Sequence, residues 1–211
     1  MPTLEQARAW YLQADAVHDF AHVERVYRMA EKLAAEENAD LEIVRAAALL
    51  HDVEGTTPGA EERANHHHSS AEFAAQVLKD EGWPAGRIAA VQHCIRAHRF
   101  RDDREPPATL EAKILLDADK LDVLGAIGVA RAVAYATLAG EPVYAQPSAR
   151  FLHTEEKEPG EPHSTYHEYL FKLRKIKDRL FTPTARSIAE GRDAYLQQYY
   201  EQLRAELNGD K

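Results

Sequence analysis

The adjacent pair His51-Asp52 closes the apolar run Ala46-Ala47-Ala48-Leu49-Leu50. An imidazole and a carboxylate side by side at the end of an apolar helix are hard to explain as packing, because charged groups are rarely buried without a partner. A divalent cation satisfies both, neutralising the carboxylate and taking the imidazole lone pair. The flanking segments offer two further ligands, His22 upstream and Asp119 downstream. Two imidazoles and two carboxylates form a mixed nitrogen and oxygen set. Such a set suits Mn2+, Fe2+, Co2+, Ni2+ or Zn2+ and does not favour a thiolate zinc site. Consecutive helical residues point about 100° apart, so His51 and Asp52 converge on one ion only beyond a helix end or between helices. Neighbouring helices must therefore bring the remaining ligands.

Helical periodicity dominates the chain and positions these residues. A first helix is expected over residues 4–14 and a second from Asp19 to Glu37. In the second, His22, Val26, Met29, Ala30 and Leu33 share a face. Asp40 is placed to cap a third helix, Leu41 to Leu50, whose end delivers the doublet. Residues 53–65 read as a loop. Ser69 or Ser70 is expected to start a helix that runs to Asp80, before Gly82-Trp83-Pro84, and 87–98 continues helical. Thr109 can cap a long helix carrying Asp117, Asp119, Lys120 and Asp122, with a bend near Gly125 and Gly128. Residues 141–162 hold four prolines and read as the longest irregular stretch, either a plain surface loop or an excursion over the site. Helices return over 164–180 and 184–207.

The 211 residues are enough for one domain with a sizeable core. A net charge of −9 argues against general attraction to nucleic acid or an anionic membrane. It leaves room for a phosphorylated small molecule held by a metal and a few local cations. The single cysteine, Cys94, cannot form an internal disulfide and reads as a small core residue. The N-terminus is polar, and no segment approaches the ~18 apolar residues of a membrane span. The expected setting is cytoplasmic.

A lone His-Asp dipeptide occurs by chance in many chains, and His18-Asp19 is a second one here, read as a helix start. Context lifts the doublet above chance. The strings His18-Asp19-Phe20-Ala21-His22, Ala47-Ala48-Leu49-Leu50-His51-Asp52 and Leu116-Asp117-Ala118-Asp119-Lys120-Leu121-Asp122 stand in the order and helical settings of the HD-domain superfamily of metal-dependent phosphohydrolases, which the chain resembles. Glu111-Ala112-Lys113-Ile114 and the stretch from Asp117 to Arg131 look like the signature of a bacterial subgroup of uncharacterised HD-domain hydrolases. Lys172-Leu173, Ala189, Gly191 and Arg192 are a weaker echo. The resemblance covers residues 15–205.

The resemblance implies an all-α HD-domain helical bundle, a single domain over 1–211. Its motif core lies at about 15–135, and C-terminal helices at about 164–207 pack onto it. It implies His22, His51, Asp52 and Asp119 as metal ligands, with the ion left open among Mn, Fe, Co, Ni, Zn and Mg. In better-known relatives a basic residue follows the last ligand and meets phosphate, which points to Lys120. Nucleotide-hydrolysing relatives carry an acid three or four residues beyond the doublet, whereas Glu54 stands two beyond Asp52. Glu54 is the candidate water-positioning base, at a spacing that departs from those relatives. Relatives with two metals use extra histidines in the interval that here holds His66, His67, His68, His93 and His98. His67 and His98 match best for a second metal or phosphate contact. His93 and His98 lie five apart on one helix and face directions about 140° apart, so one of them faces the site, and His98 is the choice. Arg25, one turn after His22, is placed to hold a phosphate oxygen or to pair with Asp52 or Asp119. Arg99 and Arg101 would form the rim.

The reading is a metal-dependent phosphohydrolase acting on a nucleotide or other small phosphate ester. Catalytic roles fall to Asp52, Lys120, His98, Arg25 and, less directly, Glu54. No nucleic-acid or membrane partner is expected, and the oligomeric state is left open. The alternatives are a di-iron oxygenase on the same scaffold and a non-catalytic module that keeps the metal as a structural staple.

Overall fold

The computed structural model describes residues 1–11, 19–54, 66–99 and 105–211. The described residues form ten α-helices and three short 3-10 turns, with no strand among them. No single helix among them is long and apolar enough to cross a membrane. The chain divides into two compact units. One holds Met1–Lys120 with Leu180–Ala185, and the other holds Leu121–Arg179 with Arg186–Lys211.

In the first unit, α1 (Leu4–Arg8) opens on a capping box between Thr3 and Gln6. It is shorter than its periodicity predicts, because the backbone tightens into a 3-10 turn at Ala9–Tyr11. Residues 12–14 of that expected helix lie outside the described residues. Helix α2 (Phe20–Glu37) is capped by Asp19 and ends at Asn38, whose left-handed φ of 58° stops it. Helix α3 (Leu41–Leu50) starts where Asp40 accepts from the backbone of Glu42 and Ile43. The same carboxylate takes two hydrogen bonds from Arg87, at 2.8 and 3.0 Å, and so ties α3 to α5 (Ala85–Ala97). Ile43, Val44 and the run from Ala46 to Leu50 are buried, which explains why α3 is apolar on almost every side.

Helix α4 (His66–Asp80) departs from expectation. It begins three residues before Ser69, so all three histidines sit in its first turn and not in a loop. Helix α6 (Leu110–Leu121) is capped by Thr109, whose hydroxyl accepts the Ala112 N–H at 3.2 Å. Leu33, Leu49, Leu50, Leu78, Ile95, Ile114 and Leu115 form the core of this unit, with Cys94 fully buried beside them.

In the second unit, α7 (Gly125–Leu138) follows a break after Leu121, and the expected bend is thus a full helix stop. Gly125 holds a φ of +70°, and a side chain on Gly128 would run into the Val123 carbonyl. The stretch 141–162 contains a short helix, α8 (Ala149–Thr154), capped by Ser148. Glu161 holds it together, accepting from the Ser148 N–H and hydroxyl and the Glu158 N–H at 2.7 Å and pairing with buried His167 at 3.0 Å. The expected helix over 164–180 is α9 (Thr165–Phe171) followed by 3-10 turns at Leu173–Lys175 and Lys177–Arg179. Helix α10 (Pro183–Asn208) closes the chain.

One carboxylate of the first unit is structural. Asp117 is fully buried on α6 and accepts the Phe181 N–H at 2.9 Å, the Thr182 N–H at 2.7 Å and the Thr182 hydroxyl at 2.8 Å. Removing that acceptor strands buried donors, at about 1–3 kcal/mol each. Asp117→Ala is therefore expected to cost about 3 kcal/mol or more in urea unfolding. Asp117→Asn, which retains one acceptor oxygen, should cost less.

Candidate metal centre

The Asp19 cap fixes the start of α2 and places His22 in its first turn, 1% exposed. Helix α3 ends at Leu50, and His51 keeps helical backbone for one more residue as its C-cap. There the His51 Nδ1–H donates to the Ala48 carbonyl at 2.9 Å. A carbonyl only accepts, so this bond fixes the tautomer and leaves the Nε2 lone pair free of a proton. The end of α5 repeats the device: His98 is its C-cap, and its Nδ1–H donates to the Ile95 carbonyl at 2.5 Å. Both imidazoles are buried.

Asp52 lies between them. Its Oδ2 is 3.6 Å from His51 Nε2 and 3.9 Å from His22 Nε2. Its Oδ1 is 3.4 Å from both His98 Nε2 and His66 Nε2. His22 Nε2 is 3.5 Å from Asp119 Oδ1, and Lys120 Nζ pairs with Asp119 Oδ2 at 2.7 Å. The rings of His51 and His98 meet edge to face, 5.2 Å apart. Burial alone would raise the Asp52 carboxyl, but the imidazoles of His51, His66 and His98 around it hold it well below its ordinary value. Asp119 is likewise buried, which raises it, yet Lys120 together with His22, His98 and His51 brings it below its ordinary value. Burial moves His98 the other way, below the usual imidazole range, against the pull of Asp52.

The donor atoms form two sets. His22, His51 and Asp119 offer atoms within 4.8 Å of one another, as do Asp52, His66 and His98. Within them, His51 Nε2 and Asp52 Oδ1 are buried and make no hydrogen bond. Separations of 3.4–3.9 Å are too long for hydrogen bonds. They approach the spacing of about 3.0–3.5 Å between two ligands of one first-row ion. Buried polar atoms without partners are costly, and a divalent cation is the partner that these nitrogen and oxygen donors suit. The residues present therefore fit a metal.

The structure thus brings together His22, His51, Asp52, His98, Asp119 and Lys120. His93 is elsewhere, bonded to Glu105 at 2.8 Å, as its helical offset from His98 requires. The histidine of the triplet that reaches Asp52 is His66. His67 is 2% exposed, and burial with neighbouring His68 pushes it down to about 4. Glu54 is exposed, and its N–H donates to the Ser70 hydroxyl at 3.1 Å. Arg25 and Arg99 are half-buried, and Arg101 lies outside the described residues. Sequence reasoning passed over His66 because a helix starting at Ser69 leaves the triplet in a loop. The available signal was spacing: His66 and Ser70 are i and i+4, one face of a helix that starts earlier.

A family model described as "HD domain" matches residues 19–124. The chain is 32% identical to the uncharacterised protein YpgQ of Bacillus subtilis, with 97% of this chain and 94% of that one covered. Among solved structures, YpgQ of Bacillus subtilis in complex with ADP is similar at a TM-score of 0.76 and 30% identity, covering 99% of this chain and all of that one. An HD-superfamily hydrolase from Bacillus thuringiensis is similar at a TM-score of 0.70 and 30% identity, covering 97% of this chain and 96% of that one.

The two histidines of α5 give a paired test. His98→Ala is expected to lower metal retention, whereas His93→Ala should leave it unchanged and loosen only the Glu105 connection. Elemental analysis of both variants, purified side by side without chelator, measures the contrast.

Proposed function

The chain belongs to the HD-domain family, and from that membership we propose that it is a metal-dependent phosphohydrolase acting on a nucleotide or another small phosphate ester. The observation that carries this reading is the buried pair of acceptors without hydrogen bonds, His51 Nε2 and Asp52 Oδ1. The hydrolase description of the Bacillus thuringiensis relative supports the reaction class, and the ADP held by Bacillus subtilis YpgQ supports a nucleotide.

His22, His51, Asp52 and Asp119 would hold the ion, and the fixed Nδ1 bond of His51 presents its Nε2 for ligation. A bound divalent ion supplies a Lewis acid that lowers the pKa of water and polarises a phosphoryl oxygen. Asp52, whose Oδ1 makes no hydrogen bond, would be the group placed to accept a proton from the attacking water. Lys120 carries the nearest ammonium and would steady charge on the phosphate, with Arg25 contributing from α2. The second donor set, Asp52 with His66 and His98, favours one other reading. Occupied by iron beside iron in the first set, it would serve oxygen activation.

Screening metal-loaded protein for phosphate release from nucleotides and sugar phosphates tests the proposal. His51→Ala and Asp52→Ala should abolish metal retention and activity while leaving helical circular dichroism intact. Full metal occupancy in both variants would overturn the ligand assignment. Lys120→Ala should keep its metal and lose about a hundredfold in turnover. We expect Mn2+, Co2+ or Ni2+ to support activity without oxygen. Two irons per chain with substrate-dependent oxygen uptake would replace the hydrolase with the oxygenase.

A further inference from the structure

The last carbonyls of a helix have no N–H of the same helix to accept from. In α3 one of these is Leu49, which is fully buried and out of reach of water. Its partner comes from far away in sequence: the Tyr11 hydroxyl donates to the Leu49 carbonyl at 2.9 Å. Tyr11 is 6% exposed, and its ring packs against Phe20, with centroids 5.7 Å apart. Phe20 is the first residue of α2, two before His22. Leu49 lies two before His51. One side chain therefore touches two of the elements that bring donors to the centre, by its ring at the start of α2 and by its hydroxyl at the end of α3.

We infer that Tyr11 is a positioning residue for the metal centre, setting the exit of α3 so that His51 and Asp52 meet His22. The inference rests on the metal reading above. Among the described residues, the terminal turn of α3 is anchored outside its own ladder by the His51 imidazole on Ala48 and the Tyr11 hydroxyl on Leu49. With the second removed, the buried Leu49 carbonyl must find another donor, and the turn that carries the doublet shifts or loosens. Precision in the supporting contacts is what holds a ligand set within a fraction of an ångström of its working geometry. Tyr11→Phe deletes only the hydroxyl and keeps the ring against Phe20.

The test is Mn2+ binding to the whole protein, read as free Mn2+ by electron paramagnetic resonance. Wild type is expected to bind, and Tyr11→Phe to bind about tenfold more weakly, within the tenfold to hundredfold typical of lost outer contacts. Amide exchange at residues 50–53 should quicken in the same variant. Phe20→Leu, which loosens the ring and keeps the hydroxyl, should weaken binding about threefold, and it carries the test if Tyr11→Phe fails to fold. Equal Mn2+ affinity in wild type and a folded Tyr11→Phe would overturn the inference and leave the metal reading standing. Absence of Mn2+ binding by wild type would overturn both.

Discussion

Helices end with carbonyls that have no partner, and among the described residues the ends of α3 and α5 are finished by imidazoles. His51 closes α3 by bonding Ala48, and His98 closes α5 by bonding Ile95. Each bond does two things at once. It satisfies a buried acceptor, and it fixes the protonated nitrogen on the helix side so that the other nitrogen faces the Asp52 carboxylate. The packing behind them serves this end. Asp40 and Arg87 tie α3 to α5, and Ala46, Ala47, Ala48, Leu49 and Leu50 are buried along α3. The result is a charged cluster whose orientation is set by backbone rather than by flexible side chains.

Helix α6 shows how one short sequence divides its work. Asp117 and Asp119 are two residues apart, so they face directions about 200° apart around the helix axis. One faces backbone donors at Phe181 and Thr182, and the other faces His22. A carboxylate that takes two N–H donors and a hydroxyl is quiet, because most of its lone pairs are taken. A carboxylate held by one ammonium and a distant imidazole keeps lone pairs for a ligand. The difference in chemistry between two identical side chains comes entirely from what surrounds them.

Much of this was legible in the residues. The caps at Asp19, Asp40 and Thr109 all operate, because a short polar side chain ahead of an apolar period has one good use. Helical angle allowed only one of His93 and His98 to face the cluster, and the resemblance to relatives, not the angle, chose His98. Other features left weaker marks. Nothing in the strongly polar stretch before His66 signals a helix start, so α4 looked three residues shorter. The cap of α9 pairs Ser164 with His167, and a histidine in the place of the usual glutamate or glutamine hides the pattern. The 3-10 turns after Phe171 follow apolar spacing close enough to a helix to pass for one. The Tyr11 contact joins residues 38 apart in sequence. No local pattern encodes such a pairing.

The first unit is not one continuous stretch of chain. It runs through Lys120 and then takes back Leu180–Ala185. That returning segment is short, yet it supplies the Phe181 and Thr182 donors that occupy Asp117. A boundary drawn where the family match ends, at residue 124, would strip a fully buried carboxylate of those donors. The gene therefore cannot be cut at the edge of its most recognisable motif to yield a minimal fragment. Any excised piece needs residues 180–185 returned to it, by a linker that bridges 120 to 180 or as a separate peptide.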